Sequence, residues 1–293
     1  MSILNRVTKG TQQRAFYFCL YAPPGLGKST FAASAPKCLL WDIEKGAALI
    51  DAAKLAAPES WAAFKADLDE LTSAPNLPYQ SIAIDTLDAL EALATEHVCK
   101  AGGKAALNDY SWGVGHALLV NEWRLFLKGM ETLRDKGINV ILVAHEHRKT
   151  VNDPEIGSFD VFRPKLSDRV WGLTNENVDA VLFAQFEHGI KEDNGRKRAI
   201  ISGRRVMRTQ RSTGFLAKNR YGLPETLPLD WKAFEEHARP KDLEALKSEL
   251  SRMLENPKVE QDTKDKVVRF LADEGMSEAN VRAIVARLRE LTT

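Results

Sequence analysis

The chain has 293 residues, a formal net charge of +1, 44% hydrophobic and 28% charged residues, the make-up of an ordinary globular protein with one large core and room for an appendage. No apolar run approaches the roughly 20 residues of a membrane span, and Met1-Ser2-Ile3-Leu4-Asn5 is no secretory leader, so no membrane partner and a cytoplasmic location are expected. Cys19, Cys38 and Cys99 lie far apart with no metal-site spacing, which points to a reducing compartment.

In chain order, residues 15–20 form an apolar, aromatic run that predicts a buried strand. Ala22, Pro23, Pro24, Gly25, Leu26, Gly27, Lys28, Ser29 and Thr30 follow, then Phe31-Ala32-Ala33 as a first helical turn. Strand, glycine loop ending in Lys-Ser, and helix make the context of a nucleotide phosphate loop. Gly25 and Gly27 admit backbone conformations and close approaches that a side chain would block. Backbone N–H groups from Gly25 to Thr30 then converge at a helix N-terminus, whose dipole also favours anions. Pro24, Gly25, Leu26, Gly27, Lys28, Ser29 and Thr30 are read as the ATP-binding stretch, with Lys28 reaching the terminal phosphates and the Ser29 hydroxyl ligating Mg²⁺. The strict pattern begins with Gly where this chain has Ala22, and Pro23 and Pro24 carry no N–H, so the donors start at Gly25.

Residues 36–44 read as an apolar strand ending in Asp42 and Glu44. Strand ends of a parallel sheet line the ligand crevice. Glu44 can therefore act on a water near the γ-phosphate or, with Asp42, simply cap the next helix. Residues 47–71 are Ala- and Leu-rich with helical spacing. Residues 81–85 form another apolar strand, and Asp85 at its tip is what a Walker B element needs to hold Mg²⁺. Helices are predicted near 91–98 and over 118–133, the latter with Leu119, Trp123, Phe126, Leu127 and Met130 on one core-facing stripe. Between them, glycine-rich residues 101–116 read as a mobile loop.

A strand over 137–144 ends at His145, a candidate γ-phosphate sensor or a plain surface histidine, while His145 and His147 lack a third ligand for a metal. Residues 148–171 read as a long irregular segment. There Arg148, Lys149, Arg163, Lys165 and Arg169 alternate with Phe159, Phe162 and Trp171, a mixture suited to single-stranded nucleic acid. Residues 178–190 and 198–202 form a hairpin about an Asp193-Asn194-Gly195 turn, and 204–210 continue an antiparallel edge. Between Lys191 and Arg220 ten Lys or Arg face only Glu192 and Asp193, which leaves the rest of the chain net acidic and suggests a polyanion partner. Lys218-Asn219-Arg220-Tyr221-Gly222 closes the core. After about Trp231 three short amphipathic helices follow, the third capped by Ser277, so the expected division is a core over 1–232 and a helical module over 233–293.

These residues resemble the RecA-like ATPases, in particular the short phage-type recombination and single-strand annealing group, over residues 13–231. Residues 22–30 are similar to Walker A and residues 82–90 to the RecA-type Walker B. The strand ending at Glu44 is similar to the one that carries the catalytic glutamate, and residues 218–222 to the Lys-Asn-Arg finger motif of RadA- and DnaB-like proteins. The resemblance implies an α/β fold with a mainly parallel central sheet flanked by helices and antiparallel C-terminal strands. It implies ATP hydrolysis with Mg²⁺ in a ring or filament, where Lys218 and Arg220 enter a neighbour's site. The segments after residues 91–98 and after His145 stand where the family has its two DNA-binding loops. Single-stranded DNA is the expected partner, and the helical tail is a candidate contact for single-strand binding protein. Ala22 and the His-Glu-His at 145–147 depart from RecA itself and place strand exchange in doubt. A DNA-translocating motor and a small-molecule kinase are the competing functions, the kinase disfavoured because a monomer needs no finger.

Overall fold

The computed structural model describes residues 14–155, 157–193, 196–238, 243–274 and 278–292. Strand β1 (Tyr17–Ala22) is buried on both sides, and its side chains alternate between two hydrophobic layers. Tyr17, Cys19 and Tyr21 enter one layer, whereas Phe18, Leu20 and Ala22 enter the other. A strand covered on both faces reads as a continuous apolar run, which is why this stretch stands out in the sequence.

The elements that follow are α1 (Lys28–Ala33), β2 (Cys38–Asp42), β3 (Ala53–Leu55), α2 (Trp61–Ser73), β4 (Ser81–Asp85), α3 (Leu87–Ala101), α4 (Val114–Asp135), β5 (Asn139–Asp153), β6 (Gly157–Pro164), α5 (Asp168–Asn177), β7 (Ala180–Asp193), β8 (Arg196–Arg208), β9 (Lys218–Asn219), β10 (Thr226–Pro228) and α6 (Trp231–Ala238). The sheet runs β10-β8-β7-β1-β5-β4-β2-β3. From β7 to β3 all neighbours are parallel, while β8, β9 and β10 add antiparallel pairs. This is the expected α/β architecture. Helices α2, α3, α4 and α5 cover one face, and the stripe Leu119, Trp123, Phe126, Leu127 and Met130 is buried there as predicted. Helices α1 and α6 cover the other.

Four segments differ from the sequence-based expectation. No single helix spans 47–71: a turn, the edge strand β3 and Pro58 precede α2, which starts where the Ser60 hydroxyl accepts the Ala63 N–H. The glycine-rich stretch 101–116 is ordered by two 3-10 turns, with the Tyr110 hydroxyl donating to Val98 O at 2.6 Å. Residues 148–164 are not irregular; β5 continues past the sheet and pairs antiparallel with β6 from Glu146↔Pro164 to Asp153↔Gly157. Their solvent-facing side chains lack the alternation that marks a half-buried strand. The core does not stop at 232, because α6 buries Trp231 and Phe234 against Phe16, Phe18 and Phe31.

The chain divides into compact units Met1–Ala238 and Arg239–Thr293. The second contains α7 (Leu243–Leu254), α8 (Gln261–Glu274) and α9 (Glu278–Thr292) about Leu246, Leu250, Val267, Leu271, Val281 and Val285. The Asn194-Gly195 turn and the Ser277 cap lie outside the described residues. Among those described, no helix is long and apolar enough to cross a membrane.

Candidate nucleotide site

The phosphate loop leaves the C-terminal end of β1 at the centre of the sheet. Gly25 and Gly27 take φ of 75° and 101°, left-handed values that strain any residue with a Cβ. Lys28, the first residue of α1, is buried, and its ammonium donates to Ala22 O at 3.1 Å and Pro23 O at 3.0 Å, spanning the loop it belongs to. Burial lowers the Lys28 pKa, and the carboxylates of Asp85, Glu44, Asp88 and Glu146 oppose that shift. Lys28 is therefore one cation facing four acids.

Parallel pairing brings those acids together. Register places Asp42 beside Asp85, so the chain turns off β2 with the Ile43 and Glu44 N–H groups donating to Asp85 O at 2.8 and 3.1 Å. Asp85 is buried, and burial raises its pKa while a hydrogen bond with the Ser29 hydroxyl pulls the other way. Ser29 and Asp85 are two hard oxygen donors facing the loop, a set that suits Mg²⁺ arriving with phosphate oxygens. The Asp85–Thr86 peptide is cis. Asp42 does not share this task; it accepts the Gly46 and Ala47 N–H groups at 2.9 and 3.0 Å and fixes the turn after β2. Glu44 stays about half-exposed, receives the Thr86 hydroxyl at 3.3 Å, and lies 3.8 Å from His145 Nε2.

His145 is held on β5 beside Ala22, adjacent to the loop. Its Nδ1 lies 3.0 Å from Asp88 Oδ2, and its backbone N–H donates to Asp88 Oδ1 at 3.1 Å. Burial pushes the Asp88 carboxyl up, but the bonds from His145 outweigh it and hold the group below the usual range. Spacing along the chain does not single out Asp88. It lies three positions beyond Asp85, in the first turn of α3, and only the pairing of β4 with β5 shows that it faces His145.

Residues 14–221 match an AAA domain family, AAA_24. The chain belongs to that family. This AAA domain is a P-loop ATPase, of a class that generally uses ATP with Mg²⁺. The SPbeta prophage-derived uncharacterized protein YorG of Bacillus subtilis (strain 168) is 28% identical over 191 residues, 64% of this chain and 55% of the relative. The chain thus spans little more than half of that relative's length. Among solved structures, the flagellar accessory protein FlaH from Methanocaldococcus jannaschii is similar over 73% of this chain and 85% of its own, with 10% identity and a TM-score of 0.31.

The remaining candidates of the AAA domain lie elsewhere. In the 218–222 motif most side chains face inward. Lys218 donates to Asn175 O at 2.5 Å and Val178 O at 2.7 Å, closing the C-terminal end of α5. Asn219 bridges to Leu223 in both directions, and the Tyr221 hydroxyl receives the Tyr17 N–H at 2.7 Å. Arg220 turns outward, its side chain 58% exposed and 3.5 Å from Asp179. Strand β9 pairs with the start of β7, at the edge of the sheet opposite the phosphate loop.

The expected nucleic-acid segment 148–171 is largely engaged within the chain. Phe162 stacks on Phe183, Trp171 is core, and Arg163 and Lys149 both pair with Asp168. Arg148 pairs with Asp160 at 3.4 Å. Two hairpins, β5–β6 and β7–β8, nevertheless extend past the phosphate edge, and the second carries Lys191 opposite Arg198. A groove of about 820 Å³ opens beside Asp88 and Glu91, walled by Lys100, Lys104 and Lys165. At the head of α4, Trp112 is fully exposed.

Proposed function

We propose that this AAA domain protein is an ATP-dependent, single-stranded-DNA-binding recombination and annealing ATPase of phage type, working in the host cytoplasm, that hydrolyses ATP at sites shared between neighbouring copies. The observation that carries the shared site is the position of Arg220. Its backbone N–H donates to Asp179 O, and Asp179 N–H donates to Tyr17 O, so it stands level with the start of β1. The phosphate loop begins five residues on, ~17 Å away at ~3.3 Å per residue. An outward arginine so placed serves another molecule's nucleotide, not its own.

Each residue then has a task. Lys28 leaves the Ala22 and Pro23 carbonyls for the phosphates. Mg²⁺ bound with ATP would draw charge off the phosphate oxygens, with Ser29 and Asp85 as its protein ligands. Glu44 takes the proton from the attacking water, oriented by the Thr86 hydroxyl and by His145, while Asp88 holds the His145 ring. Arg220 of the adjacent copy faces the charge that develops on the transferred phosphoryl group. Asp85 sits at the tip of β4, Glu44 two residues past β2 and Asp88 in the first turn of α3, and the parallel pairing of β2, β4 and β5 brings the three carboxylates together.

Single-stranded DNA as the partner is supported by the basic sequence of the β7–β8 hairpin and by Trp112, whose exposed ring can stack on a base. The prophage origin of the Bacillus subtilis relative accords with the phage setting. The helical unit remains the candidate contact for single-strand binding protein.

The test is ATP turnover by the purified chain with and without single-stranded DNA, alongside anisotropy titrations at rising salt. Turnover that rises with DNA, binding that weakens steeply with salt, and weaker binding by Trp112→Ala support the proposal. DNA-independent turnover together with no binding at low salt in ATP and Mg²⁺ would overturn the DNA assignment and leave an ATPase with another partner.

A further inference from the structure

The phosphate loop is short of donors. Pro23 and Pro24 have no N–H, and Lys28 is a single cation among Asp85, Glu44, Asp88 and Glu146. A polyphosphate entering this loop needs more positive charge than the motif itself supplies. The fold brings a further cation to the loop, from the far end of the sequence.

Arg205 lies directly against it. Its Nη1–H donates to Leu26 O at 3.2 Å, and a Cβ added to Gly27 would lie 2.5 Å from the same Nη1. Gly27 is thus required by its positive φ, and the absence of a side chain there lets the guanidinium lie against the loop. The sheet explains the placement. Tyr21 pairs with Phe183 of β7, Phe183 pairs with Arg208 of β8, and Arg205 stands opposite Phe186, three residues beyond the end of that ladder and level with the loop. Two-residue periodicity puts Arg205 on the same face as Met207, which is buried in the layer containing Leu26, Phe31 and Ala32. The β7–β8 register shifts between Phe186 and His188, just past this pair, an irregularity of the kind that re-aims a side chain. On the other side Leu229 N–H donates to Arg205 O at 2.9 Å and pins the backbone.

We propose that Arg205 is a nucleotide-contacting residue supplied in cis, whose guanidinium binds the phosphate chain of ATP held by the loop. The bond to Leu26 O uses one of five guanidinium N–H donors, and the side chain sits at the exposed rim of β8 with the others available to phosphate oxygens. The inference rests on the nucleotide reading of the site, and it separates two arginines by mechanism. Arg205 acts on the nucleotide of its own chain at any dilution, whereas Arg220 acts only across an assembled pair.

The experiment titrates the full-length chain, with Mg²⁺, against a fluorescent ATP analogue and against inorganic tripolyphosphate. The proteins are wild type, Arg205→Ala, Arg205→Lys and Lys28→Ala, each at low and high salt. Arg205→Ala is expected to weaken both ligands about 10- to 100-fold, the size of a lost charge-assisted hydrogen bond, with Arg205→Lys recovering part of the loss. Equal loss for ATP and tripolyphosphate marks a contact to phosphate, and the gap to wild type should narrow as salt rises. If Lys28→Ala loses binding while Arg205→Ala stays within threefold of wild type, the inference falls and the nucleotide site stands. A gap independent of salt, or one seen with ATP but not tripolyphosphate, assigns Arg205 to propping the loop and also overturns it. If the wild type binds neither ligand, the nucleotide reading falls and this inference falls with it.

Discussion

Glu44 and Asp85 are neighbours with opposite environments, and the roles proposed for them follow from that difference. Asp85 is buried against Ser29, whereas Glu44 is about half-exposed, with the Thr86 hydroxyl and the His145 ring beside it. A metal ligand needs the fixed position, and a proton acceptor needs the water. Glu44→Gln should retain ATP binding and turn over about 10²–10⁴-fold more slowly, the usual effect of removing a general base. Single-turnover kinetics with a parallel binding titration check this; Asp85→Asn stopping turnover while Glu44→Gln leaves it intact would move the base elsewhere. Asp88 makes a different prediction. Its carboxyl is held below the ordinary value of 3.8 by His145, so its stabilising contribution is complete above that pH and is lost as pH falls through the depressed value. Asp88→Asn should therefore be less stable than wild type at pH 7, with the difference closing below about 3.8. Urea denaturation across that range decides it, and a difference that does not change with pH would mean that the charge of Asp88 contributes nothing.

Elements whose two faces are both buried are legible in the amino-acid sequence: β1, β4 and the first part of β5 are apolar runs, and the α4 stripe follows helical spacing. The phosphate loop and the Asp85 strand tip are legible for the same reason, since their chemistry sits at the end of a recognisable strand. The β5–β6 hairpin is not, because its outer part is solvent-exposed and its inner residues Val161, Phe162 and Arg163 are covered only by tertiary contacts that spacing along the chain does not show. The pairs Asp88–His145 and Arg205–Leu26 are not either, because strand order, not spacing along the chain, creates them. Residues 101–116 show how composition misleads. Gly115 suggests freedom, yet it is the first-turn residue of α4 that packs on a 3-10 turn, and a Cβ there would lie 2.5 Å from Leu107 O and 2.7 Å from the Tyr110 ring. Helix propensity alone would make Gly115→Ala stabilising by about 1 kcal/mol. A backbone carbonyl cannot swing aside as a side chain can, and overpacking costs about 1–3 kcal/mol, so the clash should win. The melting temperature of Gly115→Ala should fall by a few degrees, of order 2–4 °C per kcal/mol for a domain of this size. A rise in the melting temperature would show that the 3-10 turn yields easily and that this segment is as free as its composition suggests.

At the scale of the whole molecule the candidate residues fall on two opposite edges of the sheet. The C-terminal edge gathers Lys28, Ser29, Glu44, Asp85, His145 and Arg205, and the opposite edge presents Arg220. Lys218 does not join Arg220 there, since its ammonium closes α5 within its own chain, so substituting it should lower stability before it lowers assembly-dependent activity. Separation of the edges makes a complementation experiment decisive. Lys28→Ala removes the phosphate ligand and Arg220→Ala removes the outward arginine, and each variant alone should be inactive. In a mixture with exchanging subunits, some junctions pair an intact loop from the Arg220→Ala chain with an intact Arg220 from the Lys28→Ala chain. For junctions formed at random from equal amounts, about a quarter are of this kind, so steady-state ATPase activity should return to roughly that fraction of wild type if the arginine supplied in trans contributes the usual ~10³–10⁵-fold to each competent site. At an ATP concentration that Arg205→Ala no longer binds, Arg205→Ala mixed with Arg220→Ala should behave like the Lys28→Ala mixture, because Arg205 belongs to the same edge as the loop. Arg205→Ala mixed with Lys28→Ala should recover nothing, since both lesions then fall on the nucleotide-holding side of every junction. Subunit exchange is followed independently with fluorescently labelled chains. Exchange without any recovery in the Lys28→Ala and Arg220→Ala mixture would remove Arg220 from catalysis, because the ~17 Å between it and its own loop leaves it no route to act in cis.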